Sequence, residues 1–165
     1  MNHIHADRIE EQIKFLGKTL NKDLMNSQPT VFICVLNGAF MFFTDLVKQI
    51  HVKNEIDFIK VKSYEDQKQG EIQILQDIEV NITGKTVVLV DDLVDSGNTL
   101  TKLIDHLQQY NPTQIKTVTL LKRYTSKFEP DYFAFNIHHD EWFYGYGMDL
   151  NGYHRNLLDI LALEK

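Results

Sequence analysis

The sequence predicts an α/β fold in which a central parallel sheet is flanked by helices. Three observations carry that expectation. Continuous apolar, β-branched runs such as Thr30 to Leu36 and Val87 to Val90 read as strands buried on both faces. Stretches of about a dozen residues with apolar side chains every three or four positions alternate with those runs and read as helices. No repeat, low-complexity tract or Pro/Gly/Ser-rich linker divides the 165 residues, so residues 1–165 are expected to form a single domain.

Taken in order, Ile9, Ile13, Leu16 and Leu20 predict an amphipathic helix near residues 7–22. Thr30 to Leu36 predicts the first core strand, broken by Asn37-Gly38. Ala39 to Ile50 predicts a helix with Phe42, Leu46 and Ile50 on one side. Glu55 to Val61 predicts a strand. Ser63 to Glu71 is polar and charged and predicts a mobile loop, with a short strand, Ile72 to Leu75, beyond it. Lys85 to Val90 is a further strand. Asn98 to Tyr110 is a helix with Leu100, Leu103, Ile104 and Leu107 inward, ended by Asn111-Pro112. Ile115 to Leu121 and Tyr132 to Phe135 predict the remaining strands, and Leu157 to Leu163 is apolar enough to dock on the body.

Composition excludes several classes. With 43% apolar and 24% charged residues the chain is not mainly disordered. A net charge of −6 argues against non-specific nucleic-acid binding, which needs a basic surface to release counterions. The lone Cys34 excludes an internal disulfide and lies in an apolar strand, where it reads as a small buried hydrophobe. The N-terminus lacks a signal pattern and no apolar stretch is long enough to span a bilayer, so the expected setting is cytoplasmic with no membrane partner. The adjacent His138-His139 diverge on a strand and rarely share one metal, and with His3 and His5 near the N-terminus they give a structural metal site little weight.

The most informative segment is Val87-Val88-Leu89-Val90-Asp91-Asp92-Leu93-Val94-Asp95-Ser96-Gly97-Asn98-Thr99. A buried strand runs into paired carboxylates, and a small-residue turn then opens a helix. Gly97 permits a tight turn. The free N–H groups of the helix start, with the Ser96 and Thr99 hydroxyls, suit a phosphate. Asp91 and Asp92 would repel a bare phosphate. They make sense beside a ligand that also brings hydroxyls or a divalent cation, as a sugar phosphate with magnesium does. Capping of a helix after a solvated acidic loop is the plainer reading of the Asp-Ser-Gly turn alone.

This run resembles the phosphoribosyl-pyrophosphate signature of the type I phosphoribosyltransferases. The resemblance implies that Asp91 and Asp92 face the ribose, directly or through Mg2+, and that Asp95, Ser96, Gly97, Asn98 and Thr99 surround the 5′-phosphate. The first acid is often Glu in that family; here it is Asp91, one methylene shorter. Leu36 to Phe42 resembles the pyrophosphate loop of the hypoxanthine-guanine enzymes. That implies pyrophosphate contacts at Asn37 and Gly38 and allows a cis Leu36–Asn37 peptide. Ser63-Tyr64 matches their lid over the active site. Asp140 to Asp149 resembles the purine-binding segment, with Trp142 stacking on the base, Phe143 reading its edge through the backbone, Leu93 on the opposite face and Asp149 at a second magnesium. Arg155 matches a pyrophosphate-binding arginine. A lysine of the family reads the purine 6-oxo group. Gapless alignment places Arg123 there, with Lys122 one position earlier, and Lys122 ranks first because relatives use lysine. The family fold adds a small hood made from the N- and C-terminal segments.

The implied reaction joins a 6-oxopurine to 5-phosphoribosyl 1-pyrophosphate, with Asp95 as general base and Mg2+ as cofactor. The metal ligands would be Asp91, Asp92 and Asp149. Small-molecule substrates, a dimer or tetramer of identical chains and no nucleic acid are expected. Two other readings stand beside it: a regulator of the same fold that binds RNA, against which the acidic balance counts, and a phosphoribosyltransferase for xanthine or another base.

Overall fold

The computed structural model describes residues 3–27, 29–63, 72–138 and 141–163. The strands are β1 (His3–Ile4), β2 (Thr30–Leu36), β3 (Asn54–Ser63), β4 (Ile72–Gln76), β5 (Thr86–Val94), β6 (Gln114–Arg123), β7 (Tyr132–Ile137), β8 (Trp142–Tyr144) and β9 (Ile160–Leu163). The helices are α1 (Ala6–Leu24), α2 (Phe40–Val47) and α3 (Asn98–Gln108). Six strands form the main sheet in the order β4-β3-β2-β5-β6-β7. Its pairs are parallel except β3 with β4, which run antiparallel. Residues 64–71 are too few for a crossover connection, which needs about a dozen residues or more, so the chain returns in the opposite direction.

Side-chain alternation along β2 and β5 separates two cores. Phe32, Cys34, Val88 and Val90 pack with Ile9, Ile13, Leu16 and Leu20 of α1 and Phe42 and Leu46 of α2. Val31, Ile33, Val35, Val87 and Leu89 pack on the other face with Leu100, Leu103 and Leu107 of α3. This is why those strands read as continuously apolar: each face of the sheet has its own cover. The helix expected to reach Ile50 stops at Val47. The chain continues as turns in which Gln49 N–H donates to Leu46 O and Ile50 N–H to Val47 O. These tighter bonds satisfy carbonyls that the helix end leaves open.

The hood expected from the family is a second sheet, in the order β1-β9-β8 and antiparallel throughout. Its strands are two to four residues long, too short to leave a periodic pattern in the sequence.

The free edge of the main sheet is tied to α3 by Asp77. Its Oδ2 takes bonds from the His106 ring at 2.8 Å and from the Tyr110 hydroxyl at 2.9 Å. Partial burial pushes the Asp77 carboxyl up, but the bonds from His106, the Ile78 N–H and Tyr110 more than offset this, and it lies below its ordinary value. A lowered folded value means that the contribution is present above the unfolded carboxylate pKa of about 3.9 and is lost as the pH falls through the folded value. Asp77→Asn should therefore cost stability at neutral pH, by at most about 1 kcal/mol at so exposed a pair. The difference from the parent should close on acidification below about pH 4, as thermal melts across the acid range would record. A gap that stays constant with pH would exclude the ionic origin.

Candidate active site

The carboxyl edge of the main sheet opens into a cavity of about 860 Å³. It gathers residues from five separate parts of the chain: Asn37 and Gly38 after β2; Val61 and Lys62 near the end of β3; Asp92, Leu93 and Asp95 around the end of β5; Arg123 at the end of β6; and Glu141 to Phe143 with Met148, Asp149 and Arg155 from the hood side. A smaller cavity of about 180 Å³ adjoins it, lined by Asp91, Asp92, Leu36 and Thr99 among others. Ligands of open α/β sheets bind at this edge, where strands diverge and helix N-termini begin.

The strand expected to end at Val90 continues to Val94, so both paired acids sit on β5 itself, with Asp91 opposite Thr119 and Leu93 opposite Leu121. Asp91 is buried and Asp92 half-buried. The Asp91 carboxylate accepts from the Asp92 N–H, and Asp92 from the Leu93 N–H, each at 2.9 Å. Burial and then the charge of Asp92 push Asp91 well above its ordinary value. Burial also raises Asp92, against the lowering bonds from Asp91 and Leu93 and the charge of Arg155. Two adjacent carboxylates taken out of water favour a cation or hydroxyl donors beside them. The same burial and charges push the Cys34 thiol up to about 12, so it stays a neutral core residue.

The loop after β2 touches this pair directly. The Leu36–Asn37 peptide is cis. A Cβ built on Gly38 would lie 1.8 Å from Asp92 Oδ2, and one built on Gly147 would lie 2.2 Å from the Gly38 carbonyl oxygen. Three segments therefore close on one another at the cavity wall, with no room for a Cβ at either glycine.

Gly97 precedes α3 in the left-handed region, at φ 84°. Its open side faces Phe128, whose Cβ would stand 2.1 Å from an added Cβ, so the packing as well as the turn requires glycine there. Ser96 and Asn98 are exposed around it, and Ser96 Oγ accepts the Asn98 N–H at 3.3 Å. The Asp95 side chain is 67% exposed and pairs with Arg123 Nε at 3.0 Å.

On the hood side Trp142 is 55% exposed, with its indole N–H donating to the Asp149 carbonyl at 3.1 Å. A large ring held at the cavity wall with one open face suits stacking. Arg155 donates to the Gly147 carbonyl at 2.8 Å and pairs with Asp149 at 2.7 Å.

A model of the phosphoribosyl transferase domain matches residues 2–151. The chain belongs to that family. It is similar to human hypoxanthine-guanine phosphoribosyltransferase, 32% identical over 171 residues, covering 95% of this chain and 78% of the relative. A solved hypoxanthine-guanine phosphoribosyltransferase from Bacillus anthracis superposes with a TM-score of 0.91 at 36% identity, covering 99% of this chain and 98% of that one. The bifunctional protein TilS/HprT of Listeria innocua is 35% identical over 93% of this chain, which spans only 24% of that longer protein.

Lys122 and Arg123, both offered by the sequence, are placed differently relative to the cavity. Lys122 does not line the cavity: its ammonium pairs with Glu129 and lies 5.3 Å from the centre of the Phe133 ring. Arg123 lines the cavity, reaching Asp95 and donating to the Glu141 carbonyl at 2.9 Å. β6 extends to Arg123, two residues beyond the expected end. Neighbouring strand residues face opposite sides, so only one of the two cations can turn toward the site.

Of the expected lid, Tyr64 lies outside the described residues and Ser63 ends β3. Val61, Lys62, Glu141 and Met148 line the cavity without having been singled out in the sequence. Glu141, an acid next to Trp142 in the sequence, was the one with a readable signal; its Oε2 is buried without a hydrogen-bond partner among the described residues.

The donor set suits magnesium, a hard cation that takes oxygen ligands. Asp91, Asp92 and Asp149 supply carboxylates, and burial pushes the first two above their ordinary range. Among the described residues the three do not converge on one point.

Proposed function

We propose that this chain is a purine salvage enzyme that transfers the 5-phosphoribosyl group from 5-phosphoribosyl 1-pyrophosphate to hypoxanthine or guanine, giving IMP or GMP and pyrophosphate. The observation that carries the proposal is one cavity lined by the paired-acid strand, Asp95, the Asn37-Gly38 loop, the tryptophan segment and Arg155. Its membership of the family and its likeness to the human and Bacillus anthracis enzymes support the reading.

Asp91 and Asp92 accept the ribose hydroxyls, and Ser96 to Thr99 hold the 5′-phosphate at the start of α3. The purine stacks on Trp142 with Leu93 on its other face, and the Phe143 backbone meets its edge. Asp95 accepts the N7 proton as N9 approaches C1′. Bond breaking runs ahead of bond making, and nearby carboxylates stabilise the charge that develops on the ribose. Arg155, together with Asn37 and Gly38, receives the pyrophosphate; a guanidinium suits two oxyanions at once. Mg2+ held by Asp91 and Asp92, with a second ion at Asp149, would neutralise the diphosphate. A cytoplasmic assembly of two or four copies carries over from the family resemblance, and light scattering checks it.

A spectrophotometric assay with each purine, 5-phosphoribosyl 1-pyrophosphate and Mg2+ tests the proposal. Turnover of hypoxanthine or guanine, abolished by chelation, is expected. Absence of turnover with every 6-oxopurine would overturn it.

In this reading Arg123, which lines the cavity, meets the 6-oxo group. Arg123→Ala should raise the KM for the purine by about tenfold or more, the worth of a charge-assisted bond. Lys122→Ala should leave that KM within about twofold, because its ammonium is engaged by Glu129 outside the cavity. The reverse pattern would return the role to Lys122.

A further inference from the structure

We propose that His3, His5 and Asp159 form a surface site for a borderline divalent transition metal, Zn2+ or its analogues, separate from the substrate cavity. His3 lies on β1, and His5 follows with extended backbone at φ −71° and ψ 150°. Two residues apart on an extended chain, their rings leave from the same side. The ring centres are 3.8 Å apart. Asp159 immediately precedes β9, which pairs with β1 so that His3 stands opposite Leu161. The carboxylate is thus delivered from the far end of the chain.

One atom serves both imidazoles. Asp159 Oδ2 lies 2.7 Å from His3 Nε2 and 3.5 Å from His5 Nδ1. One ligand atom from each residue lies within 4.8 Å of the other two. Tetrahedral zinc with bonds of about 2.0–2.2 Å holds its ligand atoms about 3.3 Å apart. Small side-chain rotations therefore admit the ion in place of the His3–Asp159 hydrogen bond. The remaining oxygen, Oδ1, accepts the Ala6 N–H at 2.8 Å. Such an outer bond orients a metal ligand before the ion arrives.

Two imidazoles and one carboxylate select zinc, cobalt or nickel over magnesium and leave room for water. None of the three residues lines the substrate cavity. A bound ion would join β1 to the segment entering β9. β9 in turn pairs with β8, which carries Trp142 and Phe143. The predicted effect is on the stability of the hood rather than on chemistry at the ribose.

Calorimetric titration of Zn2+ into the full chain, in saturating Mg2+ to occupy the all-oxygen positions, tests the site. One Zn2+ per chain is expected. At a concentration about a hundredfold above the dissociation constant, the melting temperature should rise by about 5 °C or more. His5→Ala, whose side chain is 68% exposed and can be removed without disturbing the core, should weaken binding by about tenfold or more and abolish the shift. The visible absorption of Co2+ bound in place of Zn2+ should vanish with it. His138→Ala, at an exposed histidine elsewhere, should bind as the parent does. The idea fails if the parent takes up no Zn2+, or if His5→Ala matches the parent in affinity and melting response.

Discussion

Asp95→Asn is expected to lower turnover by about a hundredfold or more while changing the KM for 5-phosphoribosyl 1-pyrophosphate little. The magnitude is that of losing a positioned proton acceptor. Asn keeps the size of the side chain, so the backbone turn that follows it should remain intact. The Asp95 carboxylate lines the cavity and is held by Arg123 Nε at 3.0 Å. In the substituted protein Arg123 loses this partner, and the purine KM should shift modestly with it. Steady-state kinetics on both substrates separate these effects. A turnover number close to the parent's would remove Asp95 from proton transfer and leave it as a positioning group for Arg123.

Gly38→Ala is the second change with a large expected effect. The added Cβ would stand 1.8 Å from Asp92 Oδ2 and 2.6 Å from its carboxyl carbon. No rotamer of a methyl relieves that overlap, so either the loop or Asp92 must move. Both belong to the substrate cavity, and a displacement of about 1 Å at a positioned group costs about a hundredfold in rate. The expected outcome is a fall of about that size in kcat/KM. Gly84→Ala provides the contrast. Gly84 has a positive φ of 71° but nothing within 4 Å of an added Cβ. It should lose about 1 kcal/mol of stability through backbone strain and keep its activity. Equal activity in the two variants would show that the close packing at Gly38 is not required.

Local signals carried much of the fold. The apolar runs that became β2 and β5, the three-to-four spacing of α1 and the Asn111-Pro112 stop after α3 are all properties of neighbouring residues. Such preferences act before distant segments meet. The paired acids and the turn after them were legible for the same reason, since strand, carboxylates and helix start are contiguous. The lengths of the strands were not. β5 and β6 run past their expected ends because their partners continue the ladder beside them, and pairing is a property of two segments rather than one.

That difference decided which of two neighbouring cations faces the cavity. Whether Lys122 or Arg123 turns inward depends on the phase of β6 in the sheet, and a shift of one residue exchanges the two faces. The closure of Gly38 against Asp92 and Gly147, and the meeting of His3 and His5 with Asp159, likewise join residues far apart along the chain. By itself the sequence determined the class of fold, the order of most elements and the carboxylate-rich edge where a ribose phosphate would sit. The tertiary structure alone decided which cation enters the cavity, how the hood is built and which distant side chains share a point in space, because contacts across the chain depend on pairing register that no local pattern records.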